Sequence, residues 1–241
     1  MKIKLLKAGN GDSILISLNV RNHTRNILID GGVSDTYYSQ NSNQEGDLKR
    51  ELNSIKKKGE IIDLLILTHI DNDHICGLLK WFELDDKAHE LVKNVWFNSG
   101  KLIANYFNES ENEDLKVSLK FFSDSKTGVN EAIEFENYLS GKKIWDKKII
   151  IQGQEFEGCG IKIQILSPNE TQLKKLLKEY KRVTGDPAYT SGKVKDWNKN
   201  IKDFIEEENR SDFKFNQDRS VNNGSSISFI LTLGDKRFLF L

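Results

Sequence analysis

Two imidazoles and two carboxylates lie within the six residues His69-Ile70-Asp71-Asn72-Asp73-His74. Just before them runs Ile61-Ile62-Asp63-Leu64-Leu65-Ile66-Leu67, in which Asp63 is the sole polar residue, and such a run reads as a strand buried on both faces. Directly after them, Ile75, Leu78, Leu79 and Phe82 recur at helical spacing. Nitrogen and oxygen donors gathered in a tight turn between two rigid elements are what zinc or a similar divalent cation requires. His69, Asp71, Asp73 and His74 are therefore the candidate metal ligands. A plainer reading uses the same residues: a solvated turn with Asp73 capping the helix. The buried strand, the helix and the placing of two of the chain's four histidines in this one turn favour the site.

The elements that must position this turn can be read outward from it. Residues 2–7 alternate lysine with apolar residues and predict a strand. Ala8-Gly9-Asn10-Gly11-Asp12-Ser13 predicts a turn, Ile14–Leu18 the returning strand, and Ile27-Leu28-Ile29 a third strand that stops at Asp30-Gly31-Gly32. Three strands with short connections make an antiparallel meander. Asp30 is either a turn carboxylate or, if the strand of residues 61–67 lies alongside, a polar group beside the histidine turn.

Residues 33–46 read as a polar loop, 47–58 as a helix ending in three lysines, and Val95-Trp96-Phe97 as a short strand. Ile149-Ile150-Ile151 and Ile161–Leu166 are expected strands, and a helix is expected from Ser167-Pro168-Asn169 to about Arg182. Residues 101–147 and 183–220 read as helical and loop insertions, with helices expected at 115–122, 130–139 and 194–208. Their aromatic residues, Phe121, Phe122, Phe135, Tyr138 and Trp145, are read as core. A polar turn at 221–226 precedes strands over 227–233 and 236–241, joined by Gly234-Asp235.

Composition narrows the classes. With 241 residues, 37% hydrophobic and 30% charged, the chain is globular and has ample material for a core. Lys+Arg and Asp+Glu both number 36, so the net charge is zero and bulk attraction to nucleic acid or an anionic membrane is not expected. Lysine pairs at 142–143, 147–148 and 174–175 are read as solvated faces rather than a binding track. Two cysteines give no disulfide framework, which suits a reducing cytoplasm. Cys76 is read as a small buried residue in the first helical turn rather than a ligand. No stretch has transmembrane length.

These motifs together resemble the metallo-β-lactamase superfamily, and within it the branch typified by the hydrolase domain of ComEC-type DNA-uptake proteins. The likeness is carried by Gly9-Asn10-Gly11-Asp12-Ser13-Ile14-Leu15-Ile16, by Ile27-Leu28-Ile29-Asp30-Gly31-Gly32, by Thr68-His69-Ile70-Asp71-Asn72-Asp73-His74-Ile75-Cys76-Gly77-Leu78 and by Asn222-Asn223-Gly224-Ser225-Ser226-Ile227. It implies an α/β fold, the αβ/βα four-layer sandwich, spanning residues 1–241 as a single domain. It also implies one or two metal ions, usually zinc, that activate water for attack on an ester, amide, thioester or phosphodiester.

By position, the resemblance assigns His69 to a first metal and Asp73 and His74 to a second, with Asp73 orienting the attacking water. Asp71 stands where many members have histidine, which makes manganese the alternative to zinc. Asp30 becomes a support for a ligand histidine, with Asp12 and Ser225 as further supporting residues. No histidine follows His89, and Asn222 or Asn223 falls near the place of a later ligand.

The family pattern continues past Leu241 with further metal-binding residues. The expectation is thus a domain incomplete at its C-terminus, within a larger protein. The expected function is a phosphodiesterase or nuclease acting on a phosphodiester substrate such as nucleic acid. Hydrolysis of a small ester, amide or thioester is the rival within the same chemistry, and a catalytically inactive binding or sensor module the rival outside it.

Overall fold

The computed structural model describes residues 1–20, 23–107, 128–158, 160–185 and 220–241. The N-terminal meander is β1 (Lys2–Leu5), β2 (Ile14–Val20) and β3 (His23–Ile29). A one-turn helix α1 (Ser34–Tyr37) and a two-residue hairpin, β4 (Tyr38–Ser39) and β5 (Gln44–Glu45), occupy the stretch expected to be loop. Helix α2 (Asp47–Lys57) leads into β6 (Ile62–Ile66) and then α3 (Asn72–Leu84). A 3-10 turn (Ala88–Leu91), β7 (Val95–Trp96), α4 (Gly100–Tyr106) and α5 (Gly128–Ser140) follow. The second half holds β8 (Glu155–Gly158), β9 (Ile161–Ser167), α6 (Glu170–Gly185), the short helix α7 (Val221–Gly224), β10 (Ser228–Leu233) and β11 (Lys236–Phe240).

Two sheets face each other. The first has the order β1-β2-β3-β6-β7 and the second β11-β10-β9-β8. The antiparallel meander predicted from the short turns is present, and β6 joins it in parallel to β3, with Ile27 opposite Leu64 and Ile29 opposite Ile66. Period-two alternation then sends successive side chains into different cores. Leu28, Leu65 and Leu67 pack with Leu48 and Leu52 of α2, Ile75, Leu78 and Trp81 of α3, Phe135 of α5 and Leu173 of α6. Ile16, Ile27, Ile29 and Ile66 pack against Ile163, Ile165, Phe229 and Leu231 of the second sheet. The layers are thus helices, sheet and sheet, as the mixed α/β sandwich expects. Among the described residues, neither buried cluster contains a helix on the far face of the second sheet.

Two local expectations are corrected here. Residues 149–151 form no strand. The side-chain amide of Asn98 takes the strand partner's place: its Nδ2 donates to the Ile150 carbonyl at 2.8 Å and its Oδ1 accepts from the Ile150 N–H at 2.9 Å. The strand lies instead at Glu155-Phe156-Glu157-Gly158, an edge strand whose one apolar residue, Phe156, meets the Trp96 ring at 4.5 Å between centroids. The turn at 221–226 includes a helical turn with Ser220 at its N-cap, accepting from the Asn223 N–H. The helices expected at 115–122 and 194–208, together with Phe121, Phe122, Trp197 and Cys159, lie outside the described residues. Phe135 and Trp145 are buried as expected.

The parallel pairing of β3 and β6 decides where the chemistry sits. Both strands end at the same edge, and the ladder continues one step further as the Asp30 N–H donates to the Ile66 carbonyl at 2.9 Å. The first turns of α3 then dock on Asp30-Gly31-Gly32: the Gly31 N–H donates to the His74 carbonyl at 2.8 Å, and the Gly77 N–H to the Gly32 carbonyl at 2.9 Å. This approach tolerates no side chain at Gly77, where a Cβ would fall 1.9 Å from the Gly31 carbonyl oxygen. Replacing Gly77 by alanine should therefore lower the unfolding free energy by about 3 kcal/mol in urea denaturation. Gly141→Ala, where nothing lies within 4 Å, should stay within about 0.5 kcal/mol of the parent. Equal effects at the two glycines would refute this packing.

Candidate metal centre

The turn after β6 is held from below by one buried carboxylate. Asp30 is 1% exposed, and its φ of 55° is a left-handed conformation unusual for a residue with a side chain. Its Oδ1 accepts from the Thr68 N–H at 2.7 Å, and its Oδ2 accepts from the Thr68 hydroxyl at 2.6 Å. The same Oδ2 lies 2.8 Å from His74 Nδ1. An ionised carboxylate only accepts, so His74 carries its proton on Nδ1 and turns the Nε2 lone pair the other way. Of the two roles open to Asp30 in the sequence, the structure gives it a place directly beneath the histidine turn.

The same reasoning fixes the second ring. His69 Nδ1 lies 3.0 Å from Thr68 Oγ1 and 3.2 Å from Ser226 Oγ. The Thr68 hydroxyl already donates to Asp30, and the Ser226 hydroxyl donates to the Asn223 carbonyl at 2.8 Å. Both hydroxyls can then only accept from His69, which places its proton on Nδ1 and its lone pair on Nε2. His69 Nε2 faces Asp71 Oδ2 at 3.7 Å, and His74 Nε2 faces Asp73 Oδ1 at 4.0 Å. The two rings lie side by side with centroids 3.9 Å apart. Two imidazole–carboxylate pairs thus stand next to each other, each ring held in the tautomer that metal ligation needs.

Helix capping uses neither carboxylate. The cap of α3 is Asp71, not Asp73, and its side chain makes no capping hydrogen bond. Asp71 Oδ1 instead accepts from Asn222 Nδ2 at 2.6 Å, across 151 positions of sequence. Ser225, 3% exposed, donates to the Asn222 carbonyl at 2.9 Å and so braces the same loop. Asn223 is exposed and enters through its backbone carbonyl, which accepts from Ser226. The Ile227 N–H ties the loop to the Thr68 carbonyl at 2.9 Å.

From the other side, the turn of residues 9–13 closes on the site. A Cβ at Gly11 would fall 1.6 Å from the Asp73 carbonyl oxygen. Asp12 is exposed there, and its charge is felt at His74. Thr68 and Ser226 were not read as site residues in the sequence. Their only signal was adjacency, Thr68 to His69 and Ser226 to the end of the Asn-Asn-Gly-Ser turn. Cys76 is half-buried rather than buried, and lines a groove of about 320 Å³ with Asp35, Lys80, Glu83 and Glu134.

The donor types fit a divalent cation, but not as a closed set of imidazoles and carboxylates. Among the described residues, no group of three or more His, Cys, Asp and Glu side chains is drawn together so as to hold an ion. The amide oxygens Asn72 Oδ1 and Asn222 Oδ1, by contrast, are buried and without a hydrogen-bond partner among the described residues. Orphaned acceptors beside two carboxylates are the feature a cation would satisfy.

Burial pulls the pKa of His74 down, but the Asp30 hydrogen bond and the charges of Asp30, Asp73 and Asp12 outweigh it and hold the imidazole above its ordinary 6.5. A raised folded pKa gives stability that is complete below 6.5 and is lost as pH rises through the folded value. Metal-free protein should therefore lose urea resistance as pH increases across that window. Asp30→Ala should lower stability by about 3 kcal/mol or more, by leaving buried donors unpaired. It should also flatten the pH dependence, and an unchanged slope in that variant would refute the assignment.

A family model described as the metallo-beta-lactamase superfamily matches residues 6–159, which include Asp30 and the whole histidine turn. No curated protein matches the chain. Among solved structures, the chain is similar to a metallo-beta-lactamase with a HARLDQ motif from Cronobacter sakazakii, at 13% identity and a TM-score of 0.39, covering 99% of this chain and 58% of that one. It is also similar to the MIM-2 metallo-beta-lactamase, at 12% identity and a TM-score of 0.31, covering 66% of this chain and 46% of that one. The chain thus spans little more than half the length of the first of these and less than half of the second. With the matched segment taking in more than half of its residues, this chain belongs to the metallo-beta-lactamase superfamily.

Proposed function

We propose that this chain is a metal-dependent hydrolase module that cleaves a phosphodiester. The observation that carries the metal chemistry is the pair of imidazoles locked as Nδ1–H tautomers, each presenting Nε2 toward a carboxylate. A divalent cation bound there would supply Lewis acidity and a water of lowered pKa, with zinc the usual ion and manganese the alternative. His69, Asp71, Asp73 and His74 would hold it. The chain's own groups then do the rest. Asp30 keeps the His74 ring from rotating, Asn222 fixes one oxygen of Asp71, and Asp73 would orient the attacking water. Residues 9–13 and 220–226 wall the site on two sides.

One observation favours the second reading, a small ester, amide or thioester substrate. A groove along α3, lined by Cys76, Leu79 and Lys80, carries Asp35, Glu83 and Glu134 against a single lysine, Lys80, whose ammonium is 2.9 Å from Glu83. Lys142, Lys147 and Lys174 lie over the rings of Tyr138, Trp145 and Phe107, at 5.5, 5.9 and 4.9 Å from the centroids. A polyanion gains little from such a surface, while a small neutral substrate is not repelled.

Elemental mass spectrometry on the purified chain should find near-stoichiometric zinc or manganese, lost in the His69→Ala/His74→Ala double variant. Asp73→Asn should lower turnover by about a hundredfold or more. Turnover of bis-p-nitrophenyl phosphate and labelled DNA, set against p-nitrophenyl acetate and a thioester, separates the two substrate classes. Absence of metal from the parent protein, with no turnover of any of these, would leave a binding or sensor module.

A further inference from the structure

Asn222 does more than its bond to Asp71 requires. Its Nδ2 donates to Asp71 Oδ1 at 2.6 Å, and that bond fixes the amide's orientation, since a flip would set two acceptor oxygens against each other. The other end, Oδ1, is therefore also fixed. It is buried and finds no donor among the described residues. Being the far end of the same amide, it lies beside Asp71, whose other oxygen faces His69 Nε2 at 3.7 Å. Buried carbonyl oxygens are nearly always paired, and one left open next to carboxylates lacks a positive partner rather than a protein donor.

We propose that Asn222 Oδ1 is itself a metal ligand, joining the donor set that His69 and Asp71 begin. With it, the site becomes rich in oxygen, a composition that reduces zinc's usual advantage over a hard cation such as manganese. The inference rests on the metal-dependent reading and deepens it. The role also accounts for the effort spent on this loop. Ser225 holds the Asn222 carbonyl, and Ser226 ties the loop to His69.

The test is the binding of manganese and zinc ions by titration calorimetry, with loss of the free manganese resonance signal as a second readout, on the parent chain and three variants. Asn222→Leu keeps the volume and removes the oxygen, and should weaken manganese at least about tenfold. Asn222→Asp keeps an oxygen donor but loses the N–H to Asp71, and should retain manganese binding. Asn222→His should raise the zinc-to-manganese affinity ratio by about tenfold or more.

Urea midpoints of the metal-free forms check that each variant is folded. Metal binding by the parent that is unchanged in all three variants would overturn the proposal and leave the hydrolase reading standing. A loss in Asn222→Asp as large as in Asn222→Leu would also overturn it, making Asn222 a positioning residue that acts through Asp71. No binding of either ion by the parent would remove the metal-dependent reading and this proposal with it.

Discussion

The Asp30 carboxylate is the interaction on which the site is built. It takes the Thr68 N–H, the Thr68 hydroxyl and the His74 imidazole at once, from a position 1% exposed to solvent. A buried carboxylate is tolerable only when its oxygens are satisfied by donors of this quality. That requirement joins the end of β3 to the end of β6 and the first turn of α3, 38 and 44 positions later in the chain. Asp30 reaches them from a left-handed backbone conformation, a strained geometry kept because the surrounding contacts over-determine it. The two glycines that follow let the helix backbone settle against this turn.

The consequence of that one carboxylate is a decision about protons. A histidine can ligate a metal through either nitrogen, and the partner on the other nitrogen chooses. Asp30 chooses for His74. For His69 the choice is made by two hydroxyls whose own protons are committed elsewhere, one to Asp30 and one to the Asn223 carbonyl. The carboxylate under one ring thus helps to set the tautomer of both. The loop of residues 220–226 completes the arrangement from the second sheet, fastening to the Thr68 carbonyl, to His69 and to Asp71. The site is a junction of the two sheets, held by polar contacts above a core that the strands bury in both directions.

The family model shows the superfamily, over a segment that contains the histidine turn. Carboxylates line the groove along α3, and lysines elsewhere lie over aromatic rings rather than along a track. An overall charge of zero agrees with a substrate bound by local contacts instead of by a long-range field.

Much of this was legible in the chain itself, because periodicity and residue chemistry are local. Six apolar residues in the run of 61–67, the meander before them and the helical spacing after them gave the elements, and His69, Asp71, Asp73 and His74 announced themselves by type and crowding. What stayed hidden was everything set by pairing across distance. The alternation of Glu155-Phe156-Glu157 is too polar to be read as a strand without its neighbour β9, while Ile149-Ile150-Ile151 looks like one and is paired to a side chain instead. Asp73 looked like the cap because a cap is a local rule, whereas Asp71 begins the helix with its carboxylate drawn away by an asparagine 151 positions later. The sequence by itself determined most of the elements and the candidate donors. Only the tertiary structure decided which carboxylate sits under which imidazole, and so which nitrogen keeps its proton, because a tautomer is fixed by the partner across the fold and not by the residue's neighbours in the chain.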